Sequence, residues 1–443
     1  RDGDGYGDAT TTTTTCEAPS GYIDDDQDCD DGDPDVHPGA DEICNGVDDD
    51  CDEDTEEEGL ISLENGDTYE YIQDAIDDAF PGEEITICPG EYEENLSIDF
   101  DVELRALGDA TDTSVLARGE GSVIDISEGD VVIAGLTISG GTGDLNPYSG
   151  SGTLGGGVFS ETVGSLTIED CVFTDNEADY GGGLMAAESY EVTITGCTFG
   201  YNEADGYGGG LYVFNADAEI TDTFIGMNDA WAGGGLAIQN GDLTLNAVTI
   251  EDNDVEDTGG GLLVVVAEVT ASADTLITGN SANELAGGLY LEHGDWSGGV
   301  IEDNDASYGG GVFVYSGSAA NIADLEATSN NASASGGGLY AIGPVDLDAV
   351  TFQDNRAEWG GGIALDESDA WASSCVFESN IADTYGGGAI LFASSTLESF
   401  RSDWGTGSTD NTPDDVYLRE AERDYNSFGS SDTFECSSEG NCR

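Results

Sequence analysis

The stretch Phe173-Thr-Asp-Asn176-Glu-Ala-Asp-Tyr-Gly181-Gly-Gly-Leu184 decides the fold, because its pattern returns at a fixed interval. Each unit reads Phe or Ile, two residues, Asn, one residue, Ala, a short loop, and a glycine triplet before Leu, Val or Ile. Successive copies place Asn176, Asn202, Asn228, Asn253, Asn280, Asn304, Asn330, Asn355 and Asn380 about 25 residues apart. Three residues ahead of them stand Phe173, Phe199, Ile225, Ile250, Ile277, Ile301, Ala327, Phe352 and Phe377. A period of this size, with several short strands per unit, describes one coil of a solenoid. Stacked coils bring like residues together about 4.8 Å apart. A column of Asn side chains can then bond amide to amide inside a turn. The glycine triplets permit tight corners of positive φ. The spacing predicts an all-β parallel β-helix of about twelve coils over residues 85–400, a rod of roughly 60 Å. Helices between the strands are missing, which argues against a TIM barrel. A propeller blade would be longer and would have no use for an Asn column.

Upstream of the repeats, Ile72, Ala75, Ile76, Ala79 and Phe80 fall on one face of a helix over residues 71–80, and Pro81-Gly82 stops it. Four segments are expected: an Asp/Cys-rich module at 1–58, a linker with a capping helix at 59–84, the solenoid at 85–400, and a C-terminal capping segment at 401–443. Thr10 to Thr15 read as a spacer within the module. The chain opens at Arg1 inside a motif, so it reads as a piece of a longer protein.

The repeats resemble the FxxN and GGA-I repeats of polymorphic outer-membrane proteins. The stretch from Ile72-Gln-Asp-Ala75 to Pro89-Gly-Glu-Tyr92 and Glu94 resembles the capping start of secreted right-handed β-helix proteins. The resemblance covers about residues 68–400 and implies a right-handed coil. Within residues 1–443 no membrane barrel of the autotransporter kind is expected, a departure from that family.

The composition holds 94 Asp and Glu against 8 basic residues, all Arg, for a formal net charge of −86. Such a chain repels nucleic acid and anionic lipid, and its natural counter-ions are cations. Most of the acids serve solubility. Some are packed at metal-ligand spacing. Asp2, Asp4, Tyr6 and Asp8 alternate with glycine as in a calcium loop. Asp28, Asp30 and Asp33 follow, then Glu42, and then Asp48, Asp50, Asp52 and Asp54 in alternation. Residues 1–54 resemble the MopE-type metal-binding repeat of bacterial surface proteins, in the elements Asp28-Cys-Asp-Asp31, Pro38-Gly-Ala40, Cys44-Asn-Gly46 and Asp48-Asp-Asp-Cys-Asp52. Glu53 stands where that repeat usually has Gly. Hard oxygen donors point to calcium. Copper, which the family name implies, wants imidazole or sulfur, and only His37 and His293 are present, with His37 in a turn before Pro38-Gly39.

Ten cysteines, an even number, argue for an oxidising compartment. Cys16, Cys29, Cys44 and Cys51 should form two bridges, with three connectivities open. Cys171 and Cys197 sit one coil apart, within bridging range. Cys436 and Cys442 should close a C-terminal loop, leaving Cys88 and Cys375 as buried thiols. Tyr180, Tyr207, Trp231, Tyr308, Trp359 and Tyr385 precede the glycine triplets in register. They should stack along one edge, either structurally or as a platform for sugar rings.

Two functions are weighed. The first is an extracellular or cell-surface calcium-binding structural or adhesive protein, whose partners are calcium, other copies of itself or other surface proteins, and glycans. Calcium would bridge its acidic faces into a fibre or lattice, with a neighbour's carboxylate completing the first loop. The second is a polysaccharide hydrolase or lyase. A lyase needs a basic group, and Arg356 is the only Arg between residues 119 and 400. A hydrolase needs only paired carboxylates. The first is preferred, with no catalytic residue assigned and no nucleic-acid or membrane-inserting role.

Overall fold

A computed structural model describes residues 6–7, 27–30, 32–40, 48–52, 61–145, 152–317, 319–392, 394–406 and 408–419, with the backbone of strands Ser427–Phe428 and Asn441–Cys442. It is a right-handed parallel β-solenoid. The first coils have three short strands and the later ones four, as in the coil that begins at residue 184: Leu184–Ala187, Glu191–Thr195, Thr198–Gly200 and Glu203–Tyr207. Stacking the coils produces four sheets, called A to D in that order, of fourteen, sixteen, twelve and eleven strands. The twelve strands of sheet C match the number of coils expected from the repeat.

Register is set by the alternation of side chains along each strand. In sheet B, Val192 and Ile194 turn inward and pair with Ala218 and Ile220 of the next coil. In sheet C the apolar column of the repeat lies in the core, with Phe173 stacked on Phe199 at 4.4 Å between ring centroids. Phe352, Phe377 and Trp404 continue such a stack further along. At the corner between sheets D and A the glycine triplet is required. Gly181 has φ +65°, and a Cβ on Gly183 would lie 2.6 Å from the Gly210 carbonyl oxygen of the next coil.

The Asn column occupies the turn between sheets C and D, and all nine predicted members are buried. In each step the side-chain amide donates to the next Asn Oδ1, as from Asn202 to Asn228 at 3.0 Å, and to a core carbonyl, Phe173 O at 3.0 Å. The residue just before each Asn takes the left-handed conformation, as at Asp175, Tyr201 and Met227. Asn380 passes the ladder on to Asn411, a tenth member that the repeat did not reveal.

The ends of the stack differ from its middle. The helix Ile72–Asp78 buries Ile72, Ala75 and Ile76 against the first coil, and Glu94 accepts hydrogen bonds from Ile72 N and Gln73 N at its start. The helix stops short of the expected residue 80. Ala79 is extended and Phe80 is 72% exposed, because the residue before Pro81 disfavours helical backbone. Strand Ile61–Leu63 pairs antiparallel with Glu83–Ile87, and Asn441–Cys442 antiparallel with Val416–Leu418. Antiparallel strands at both ends interrupt the parallel edge on which another coil would grow.

Two cysteine expectations are corrected. Cys171 and Cys197 are separate buried thiols, not a bridge. Stacked positions in a parallel ladder point the same way about 4.8 Å apart, whereas a disulfide needs closer, converging Cβ atoms. Cys88 is disulfide-bonded rather than free, to a partner outside the described residues. Cys375 is a buried thiol, pushed up to about 12 by burial.

Candidate metal centre and outer groove

The described acidic loops of the N-terminal module are clamped by the disulfide Cys29–Cys51, with 5.6 Å between Cα atoms. Two backbone bonds tie the loops together further: His37 N donates to Asp49 O at 2.8 Å and Asp28 N to Gly7 O at 3.1 Å. The carboxylates shape their own loops. Asp28 Oδ1 accepts from Asp30 N at 2.8 Å, Asp30 Oδ1 from Gly32 N at 3.1 Å, and Asp33 Oδ1 from Asp35 N at 3.2 Å. Asp48 and Asp50 both accept from Asp52 N, at 3.1 and 2.9 Å. Such Asx turns gather alternating carboxylates on a curled loop, as a multi-oxygen cation site requires.

Asp28 and Asp49 are buried, at 4% and 3% exposure. Asp49 was passed over in the sequence, where alternation picks out its neighbours Asp48 and Asp50. The bond from His37 to its carbonyl draws it inward. Tyr6, expected as a ligand, stacks its ring on His37 at 5.2 Å. Among the described residues no three His, Cys, Asp or Glu side chains converge into a cation cage. Asp2, Asp4, Asp8, Glu42 and Asp54 lie outside the described residues, as do Cys16, Cys44, Cys436 and the side chain of Cys442. The described donors are carboxylates, with Cys29 and Cys51 consumed in the disulfide, and they fit a hard cation better than a soft one.

A second feature runs along the outside of the solenoid, where the glycine corner folds sheet D toward sheet A. The last residues of the sheet D strands form one column: Tyr180, Tyr207, Ala232, Thr258, then Leu285 and Tyr308 through isolated bridges. Ser335, Trp359 and Tyr385 continue it. Trp231 is not in register as expected. A bulge puts Ala232 in the column, and Trp231 packs edge-on against Tyr207 at 5.7 Å, 42% exposed. The facing column comes from the second residue of each sheet A strand and includes Tyr212, Ala237, Leu263, Tyr290, Phe313 and Tyr340. The two columns form an apolar groove outside the main core. Repeat spacing exposed only one of them.

At the N-terminal end of the groove, Asp125 pairs in register with Phe159. Burial, with the charges of Asp144 and Glu161, pushes its carboxyl up to about 6. Arg356 is an exposed ion-pair partner of Asp383 at 2.7 Å. No helix among the described residues is long and apolar enough to cross a membrane.

Comparison with known proteins follows the same two-part division. Residues 114–268 match the family model described as a right handed beta helix region. Residues 28–57 match the MopE-type model described as "Putative metal-binding motif". Among solved structures, the chain is similar to the Dettilon tailspike protein (gp208), at 12% identity over 79% of this chain and 65% of that one, with a TM-score of 0.34. It is similar to ORF18 of Geobacillus virus E2 at 11% identity over 83% and 57%, TM-score 0.26. It is also similar to the family 28 exopolygalacturonase of Yersinia enterocolitica at 12% identity over 82% and 74%, TM-score 0.22. The chain thus spans less than two thirds of the first two. Such distant likenesses carry no argument about function. No curated protein matches the chain.

Proposed function

We propose that this chain is an extracellular structural or adhesive surface element, in which the acidic module binds calcium and the solenoid is a rigid spacer. The observation that carries this reading is the unbroken ladder from Asn176 to Asn411. Coil after coil repeats the same internal bonding, which favours length and stiffness over a single specialised site. The bonded cysteines Cys29, Cys51 and Cys88 favour an oxidising location. The Asx-turned carboxylates favour calcium over copper. Titration calorimetry of the full chain with calcium and with copper tests the assignment. Calcium should bind with a Kd of about 10⁻⁶ to 10⁻³ M, and the pair Asp28→Asn and Asp50→Asn should abolish it. Tight copper binding that persists in excess calcium would contradict it.

Self-association through calcium belongs to the same proposal. An antiparallel strand covers one sheet edge at each end of the stack, so copies would meet along their acidic flanks, where divalent ions offset repulsion. Light scattering should show a mass increase with calcium that a chelator reverses. Monomer-sized particles in both conditions would exclude it.

Asp125 favours a second reading, hydrolysis of a polysaccharide. A carboxyl pushed up to about 6, with the carboxyl groups of Asp144 and Glu161 nearby, is the kind of pairing such chemistry uses. New reducing ends on incubation with neutral or acidic polysaccharides, lost in Asp125→Asn, would establish it. Their absence would leave the structural role.

A further inference from the structure

The outer groove is not uniformly filled. At one level both of its columns fall to alanine, Ala232 on sheet D and Ala237 on sheet A, where the previous coil has Tyr207 and Tyr212. The missing rings leave a cavity of about 240 Å³. Tyr207, Tyr212 and Trp231 line it together with Tyr290, and Asp257 and Glu292 lie among the same lining groups.

The two carboxylates give the cavity its character. Asp257 accepts the Thr258 hydroxyl at 2.9 Å, and among the described residues neither Asp257 nor Glu292 takes part in an ion pair. Burial chiefly, and then the charges of Asp257 and Glu292 among others, push the Tyr207 and Tyr290 phenols upward. Aromatic faces and carboxylates both attract a cation, and a flat one can use both at once.

The same groove already holds such a group elsewhere. Five coils further along the sheet D column stands Trp359. The Arg419 guanidinium carbon lies 4.4 Å from the centroid of that ring and 5.8 Å from that of Phe392. The sheet A column at this coil carries Ala364, again a small residue. On a coil whose sheet A residue is alanine, the chain thus sets its own guanidinium over the facing sheet D ring. At Ala232 and Ala237 no guanidinium of the described residues does so.

We propose that the Ala232–Ala237 cavity binds the guanidinium of an arginine side chain presented by a partner polypeptide. The planar cation would lie against the Tyr207, Trp231 and Tyr290 rings and bond to Asp257 and Glu292. A neutral sugar could use the rings but would leave two carboxylates uncompensated. A metal ion could use the carboxylates but not the rings. This site does not depend on the metal module.

The test uses the full chain and three probes, N-acetyl-arginine amide, its neutral isostere N-acetyl-citrulline amide, and methyl glucoside, followed by calorimetry and saturation-transfer NMR. The arginine probe should bind at least about tenfold more tightly than the other two. The pair Asp257→Asn and Glu292→Gln should weaken it about tenfold, while the nearby surface change Glu256→Gln leaves it unchanged. Ala237→Phe, which restores a ring to the column without altering charge, should abolish binding. Melting curves of each variant confirm that the solenoid is intact. Equal binding of citrulline or glucoside would overturn the proposal. So would no binding of the arginine probe at about 10 mM, or binding indifferent to the Asp257 and Glu292 changes.

Discussion

The Asn411 side-chain amide lies 3.1 Å from Asp415 Oδ1, and the asparagine ladder ends on that acid. Asp415 is 2% exposed. Burial pushes its carboxyl up to about 7, against the lowering effect of its bonds with Asn411. Its folded pKa is therefore above its unfolded value. The stabilisation is full below the unfolded pKa, and it is lost as pH rises through about 7. The melting temperature should fall between pH 5 and pH 8. Asp415→Asn, which keeps an oxygen acceptor, should flatten that fall by a few °C. An unchanged pH profile in the variant would show that Asp415 does not govern it.

Asn253 sits mid-ladder, where its Oδ1 accepts from both the backbone N and the side-chain amide of Asn228. Asn253→Ala leaves the Asn228 backbone N–H and one of its two amide hydrogens without an acceptor, at a cost of about 1–3 kcal/mol. Glu256→Ala, on the exposed face of the next strand, should be neutral or slightly stabilising because it relieves repulsion. Denaturant unfolding of the two variants distinguishes them. Equal midpoints would mean that the ladder contributes nothing.

Met227 has φ +58° and is 42% exposed, at the position where the next coil has Asp252 and the one after it Gly279. A side chain there is held in left-handed backbone with little burial in return. Met227→Gly should therefore stabilise by about 1 kcal/mol, an unusual sign for a glycine substitution. A destabilised variant would show that Met227's packing outweighs the backbone.

Much of this architecture is legible in the residues. The column from Asn176 to Asn380 and the buried helix face of Ile72, Ala75 and Ile76 follow from periodicity alone. Asn411 escaped because it lies 31 residues from Asn380, an interval lengthened by the turn around Trp404. The displacement of Trp231 by Ala232 escaped because a bulge leaves no compositional mark. The groove needed the corner geometry. Ala232 and Ala237 are ordinary alanines until the glycine triplet between them brings the two columns face to face. In the module, alternation picks out Asp48, Asp50 and Asp52, whose carboxylates or backbone share the Asx turn, but gives no sign that Asp49 is buried. That Cys88 is bonded could not be read, since one cysteine's spacing does not say which other it pairs with.

On the proposed reading, calcium holds the acidic module, while the Asn ladder and apolar core hold the solenoid. Limited proteolysis of the full chain, with calcium and again after chelation, tests it most directly. Chelation should open cleavage sites before residue 61 while residues 85–400 stay intact as one resistant fragment. Equal protection of both segments after chelation, or equal loss of both, would contradict it.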